Sequence, residues 1–303
     1  MIPIFAILLF AILLPGGVNR VRSWLSGRLG YRFFQPLYTV GVLLGKASVY
    51  SNTSSWLTRL VAPLYLSCTV VAALCIPFGS FGALVSFDGD FILFVYLLGL
   101  GRLILVLGAL DSGSSFQGMG SSRELLLGMM AEPAYFLFFG TLSLITGHYS
   151  FSSVFSQFDN VSINLLVLSM LVGYGFFKLS LLECSRVPVD DTATHLELTM
   201  IHEVMVLDLS GVDLAFIKIS GWIKLSIFGL LVANALVPAH ITGPLLWLFL
   251  LLSMVVYVGS IGFIESMRAR NRMNKNSTFL ATIVSVALLS FVVAYLLSTN
   301  IFL

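Results

Sequence analysis

Hydrophobic residues in this chain come in long unbroken runs, not in the alternation of a half-buried strand. A membrane-crossing helix needs about 20 mostly apolar residues. Eight runs reach that length, at about residues 2–19, 60–79, 90–110, 124–147, 161–184, 213–236, 243–265 and 278–299. The first is interrupted near its end by Pro15-Gly16-Gly17, which a membrane helix tolerates when its neighbours satisfy the backbone. The pattern predicts an all-α polytopic membrane helix bundle. Residues 1–303 form a single integral-membrane domain, with no internal repeat and no catalytic head.

The polar residues between the runs assign sides. The first loop, about 20–59, carries Arg20, Arg22, Arg28, Arg32, Lys46 and Arg59. The third ends on Arg123, the fifth holds Arg186, and the seventh holds Arg268, Arg270, Arg272 and Lys275. Loops two, four and six lack Lys and Arg and carry Asp88, Asp90 and Asp159 instead. Basic loops stay cytoplasmic, so the odd loops face inward and both termini lie outside. The first loop also contains a short apolar stretch from Phe33 to Lys46, which predicts an amphipathic helix lying along the interface.

Composition agrees: 58% of the residues are hydrophobic and 10% charged, against roughly 25% charged in soluble domains. Met1 to Leu14 is apolar from the start with no basic region before it, which reads as a retained first helix and not a cleavable signal. Cys68, Cys75 and Cys184 have no CxxC spacing, so no cluster, zinc or haem signature can be built from them. The basic loops are membrane-flanking charge and need no nucleic acid to explain them.

Ionisable residues within membrane spans are costly and mark pathways or structural ion pairs. Here they are Arg102, Glu132, Lys178, Glu183, Lys218, Lys224 and Glu265. The plain reading for Arg102 and Lys224 is pairing inside the bundle. Glu132 and Glu183 are the candidates for proton exchange, since burial favours the protonated form of a carboxyl group. The densest segment is Leu181–Gly211, with Glu183, Asp190, Asp191, Glu197, Glu203, Asp208, His195 and His202. Glu183 and Arg186 stand three apart at a helix end and so can pair. Pro188 then stops the helix, and Asp190-Asp191-Thr192 can cap a new one. From Thr194 to Val206 the spacing is helical, with His195, Thr199 and His202 on one face. A metal site is not expected there, because the histidines are seven apart and no HExxH follows. A proton relay or a docking helix fits better.

These residues resemble the membrane subunit called H, or 1, of respiratory complex I, over nearly the whole chain. That family reads E-x-x-R-x-P-F-D after the fifth span, and Glu183, Arg186, Pro188 and Asp190 match it. Glu197 matches the last glutamate of the family's acidic stretch. Asp208-Leu209-Ser210-Gly211 stands where the family has E-Y-S-G. Arg123 and Glu132 resemble its basic and acidic positions in the third loop and fourth helix. Arg28-Leu29-Gly30 with Gln35-Pro36 resembles its first-loop segment. Val189 replaces the phenylalanine, and Ala193 and His195 occupy positions that are glutamates in quinone-reducing enzymes. In these departures, and in LLGMMAEPAYFLF, the chain looks closer to the subunits of hydrogenase-4 and formate hydrogenlyase-type [NiFe] hydrogenases.

The resemblance implies a membrane-anchor and energy-coupling subunit with no turnover of its own. It implies a prokaryotic inner membrane and a cytoplasmic arm of hydrogenase-like large and small subunits. That arm would carry the [NiFe] centre and iron–sulfur clusters, with antiporter-like membrane subunits alongside, and this chain would bind no cofactor itself. Glu132, Glu183, Asp190, His195, Glu197, Glu203 and Asp208 would couple protons or ions. Arg102, Arg123, Arg186 and Lys224 would serve as structural pairs and docking points. The alternative is the quinone-site subunit of an NADH:quinone oxidoreductase, with Phe33, Phe34, Gln35 and Tyr38 forming the entrance. An independent secondary transporter stands third, because the inverted repeats of that class are absent.

Overall fold

The computed structural model describes residues 2–51, 53–79, 81–158, 162–191, 200–238, 241 and 243–299. The helices are α1 (Ile2–Leu25), α2 (Gln35–Leu44), α3 (Trp56–Leu74), α4 (Asp90–Asp111), α5 (Ser115–Thr146), α6 (Phe151–Gln157), α7 (Ile163–Glu183), α8 (His202–Met205), α9 (Gly211–Leu236), α10 (Pro244–Met267) and α11 (Met273–Ser298). Among the described residues α1, α3, α4, α5, α7, α9, α10 and α11 are long and apolar enough to cross a membrane. The chain is a multi-pass membrane protein, and the eight expected spans are present. The short helix expected in the first loop is present too, as α2, with Pro36 in its first turn where a missing N–H costs nothing.

Two boundaries differ from expectation. Helix α1 continues through Pro15-Gly16-Gly17 to Leu25. Helix α5 begins at Ser115, so Arg123 lies within it and not at the end of a loop. The reason is that Ser121-Ser122-Arg123-Glu124 is polar but compatible with a helix, so hydropathy marks the edge of lipid and not the end of the helix. At 1.5 Å per residue, the 32 residues of α5 make a rod about 48 Å long, against about 30 Å of hydrocarbon. Pro133 sits inside that rod.

Helix α9 is the axis of the bundle. Its apolar window is 72% buried, against 28% for α11, and it packs against α1, α2, α3, α7 and α10. Buried polar side chains stitch it in place. Ser226 Oγ donates to the Ile7 carbonyl at 2.9 Å, and Asn234 Nδ2 donates to the Pro77 carbonyl at 2.9 Å. Lipid is as apolar as leucine, so close packing holds such helices together, and small residues permit it. A Cβ at Gly108 would collide with Val61, and one at Gly175 with Phe138. At the end of the bundle away from the basic loops, Asp90 accepts from Phe151 N at 2.8 Å and Ser150 Oγ at 2.9 Å. Above it, Phe94, Phe139, Phe151 and Phe176 pack edge-on or tilted.

Tyr149 and Asn274 are both exposed and are separated by α7, α9 and α10. Single cysteines at these positions should label from opposite sides of intact vesicles. Labelling of both from one side would overturn the eight-span fold.

Candidate functional site

Glu183 is the last residue of α7, and its side chain is 1% exposed. Its carboxylate is hydrogen-bonded by the Arg102 guanidinium of α4. Its other oxygen lies 3.5 Å from Lys224 Nζ of α9. Arg102 Nε lies 3.7 Å from Glu124 Oε1 of α5. Lys224 Nζ also stands 5.1 Å from the centre of the Tyr65 ring of α3, a favourable seat for a cation. Arg102, Lys224, Glu124 and Glu183 thus balance in charge and tie together four spans. An arginine inside a membrane bundle needs such company. Room for it comes from Gly128 on α5, where a Cβ would collide with the guanidinium.

The expected Glu183–Arg186 pair does not form. Helix α7 ends at Glu183, before Pro188 is reached, and Ser185 turns the chain with φ 49° in the left-handed region. That turn carries Arg186 off the helical register. Its guanidinium meets Glu265 at 3.1 Å at the end of α10. Arg22 approaches the other Glu265 oxygen at 3.8 Å and Asp191 at 3.9 Å. Asp190 is paired with Arg270 at 3.3 Å. Its carboxylate also accepts from Ile201 N at 3.2 Å and His202 N at 2.9 Å. The helix expected to begin at Asp190-Asp191-Thr192 falls on residues outside the described ones; Asp190 instead reaches across to the approach of α8, at His202–Met205. Met200 and Ile201 lie outside any helix. His195, Glu197, Thr192 and Thr199 lie outside the described residues.

Arg123 donates to the Met200 carbonyl at 3.1 Å, holding α5 to the approach of α8. Gly120 packs there as well, where a Cβ would meet Val204. Asp208 is exposed. The adjacent Ser210 is clasped to the first loop: its Oγ accepts from Val49 N at 2.9 Å, and Tyr50 donates to Asp213 Oδ2 at 2.7 Å. Glu132 stands two turns beyond Glu124 on α5, away from the four-charge cluster. A Cβ at Gly99 would be 3.3 Å from its Oε1.

Beside the cluster opens a cavity of about 500 Å³ bounded by α1, α2, α9 and the segment after α7. Its polar wall includes Gln35, Arg186, His202, Glu203 and Lys218. Of the four expected entrance residues only Gln35 lines it. Phe33, Phe34 and Tyr38 are exposed and do not line it. Sequence reasoning missed Glu124, Tyr65 and the Tyr50–Asp213 contact. For Glu124 there was a signal, a glycine one turn later at Gly128 that could seat a large neighbour.

Two outcomes follow from this geometry. Gly128→Ala should displace Arg102 and lower thermal stability by about 1–3 kcal/mol; a melting temperature equal to wild type would show that the contact is not close. His202 lies in the cavity wall, and burial holds its imidazole below the ordinary histidine range. The unfolded chain then takes up this proton first, so stability is full above pH ~6.5 and falls as pH drops below it. His202→Asn should flatten that slope in a pH series of melting curves.

Hydrogenase-4 component C of Escherichia coli (strain K12) is 28% identical over 215 residues, covering 70% of this chain and 66% of that protein. Formate hydrogenlyase subunit 4 of the same organism is 31% identical over 151 residues, 49% of each chain. The chain thus spans less than two thirds of either curated relative. A chain of the membrane-bound sulfane sulfur reductase, an archaeal respiratory membrane complex, has the same fold, with a TM-score of 0.80 at 18% identity over 97% of both chains. A family model described as NADH dehydrogenase matches residues 1–296. With the motif from Glu183 to Asp190 at the centre of its buried charges, the chain belongs to the NADH dehydrogenase family of membrane subunits, the complex I subunit 1 family.

Proposed function

We propose that this chain is the membrane-anchor and energy-coupling subunit of a complex I-like redox assembly of the membrane-bound [NiFe] hydrogenase kind. It would lie in a prokaryotic inner membrane with both termini outside. A cytoplasmic arm would carry the [NiFe] centre and iron–sulfur clusters, and antiporter-like subunits would flank the bundle. The observation that carries the reading is the position of Arg102 between Glu183 and Glu124. Arginine keeps its proton, so it can act only as a charge that moves between acceptors. A shift toward Glu124 would leave Glu183 with Lys224 alone and favour uptake of a proton; the return shift would expel it.

The arm would act on this balance through the segment after α7. Arg186 and His202 line the cavity, and Asp190 holds His202 and Arg270 together. A change of charge or position there reaches Glu183 seven residues away through one turn. Glu203 and Asp208 extend the acidic face, and Glu132 is the next carboxylate along α5. Protons or sodium ions would then pass to the partner subunits.

A second reading rests on the cavity. Its volume lies within the range of small-molecule sites, about 300–1,000 Å³, and Gln35, Arg186, His202 and Lys218 could hydrogen-bond the head of a quinone. A bound quinone would supply two-electron, two-proton chemistry in the cavity. A photoreactive quinone that labels α2 or α9 in the purified complex would support it, and labelling absent from both would remove it.

Glu183→Gln and Glu124→Gln keep shape but remove titration. Both should lower the number of ions moved per electron in reconstituted vesicles, with some loss of bundle stability because Arg102 loses a counter-charge. Unchanged stoichiometry in both variants would take these residues out of the mechanism.

A further inference from the structure

Lys178 is a cation that the four-charge cluster does not use. It lies on α7, five residues before Glu183 and so about 7.5 Å farther from the basic-loop end of the helix. Glu183 is itself held by Arg102, nine residues inside the end of α4. Lys178 therefore lies inside the apolar span and not at its end. It does not snorkel back toward the nearer surface, as lysines near helix ends do. The ammonium lies 5.5 Å from the Tyr174 ring, one turn closer to the membrane centre, and 4.6 Å from the Phe279 ring of α11. It donates to Thr282 Oγ1 at 2.9 Å. Among the described residues no carboxylate lies within ion-pair reach of it.

The surroundings of this ammonium face away from the bundle. Lys178 is half-buried, while Tyr174 and Met170 before it are exposed. On α11, Thr278, Ala281, Thr282 and Ser285 are exposed as well, a run of small side chains that lets another backbone approach closely. Helix α11 is also the least buried of the eight spans. A fixed positive charge within an apolar span wants a counter-charge.

We propose that Lys178 is a docking point for a carboxylate carried on a transmembrane helix of a partner subunit, which packs along the exposed faces of α7 and α11. The proposal rests on the chain being part of a larger membrane assembly, and it adds the contact face and the chemistry of the partner. Thr282 fixes the ammonium, the two rings shield it from lipid, and the open side accepts an Asp or Glu.

The test uses the intact complex in mild detergent. Lys178→Met keeps length and apolar contact but removes the charge, whereas Lys178→Arg keeps it. The Met variant should release one membrane subunit, with its retention weakened roughly 30-fold or more. The Arg variant should hold it. In the unmodified complex, a membrane-permeable carbodiimide should join Lys178 Nζ to a carboxylate of another chain, read by peptide mass spectrometry. Full retention of every subunit by the Met variant overturns the proposal. So does loss of a bound anionic phospholipid without loss of a subunit, or a carbodiimide link only within this chain. Should Lys178→Met fail to fold, the carbodiimide link decides alone. A chain that purifies from the membrane without any other subunit would instead refute the assembly reading itself.

Discussion

The carboxylate of Glu183, held between Arg102 and Lys224, is the constraint on which the inner half of this bundle depends. Taking ions out of water costs several kcal/mol each, and the cost is recovered only when partners are close and well placed. Four spans must therefore converge on one point. Helix α4 brings Arg102, α5 brings Glu124, α9 brings Lys224, and α7 stops at Glu183 so that its last side chain reaches them. Removing any one charge leaves another buried and unmatched. The same arrangement is sensitive to charge introduced nearby, so a structural necessity can also serve transmission.

Around this point the chain after α7 is pinned from several sides. Asp190 is gripped by Arg270 and by the start of α8. Asn271 N donates to the Pro188 carbonyl at 2.9 Å, and Asn276 Nδ2 donates to the Val189 carbonyl at 3.2 Å. The motif is thus less a surface loop than a plug, seated by the beginning of α11. The first loop is seated in the same way on Ser210 and Asp213. Burial raises the Tyr50 pKa only in second place; its hydrogen bond to Asp213 is the leading cause.

Much of this was legible in the sequence, for physical reasons. Length in lipid is a one-dimensional constraint, so eight spans could be read from hydropathy alone. That Arg102 and Lys224 are paired inside the bundle was implied by cost, since each charge in a span demands a partner. Which partner could not be read. Glu183 and Arg186 satisfied helical spacing, yet the turn at Ser185 separated them, and no local pattern announces such a turn. Glu124 was hidden because it stood at the apparent edge of a span, where a carboxylate looks solvated. Arg186 found Glu265 79 residues away, a contact decided by the packing of α10 and not by anything near either residue.

Helix α5 has a joint. Pro133 has no N–H to give to Met129, one turn earlier, so the ladder of hydrogen bonds that stiffens a helix is broken there. The rod is in effect two shafts end to end. The shaft on the basic-loop side carries Gly120 against α8, Glu124 beside Arg102 and Gly128 beneath it. The far shaft carries Tyr135, Phe138 and Phe139 into the aromatic core. Contacts to α8 and the four-charge cluster thus fall on the near shaft and the aromatic core on the far one, and Glu132 stands immediately before the missing hydrogen bond between them.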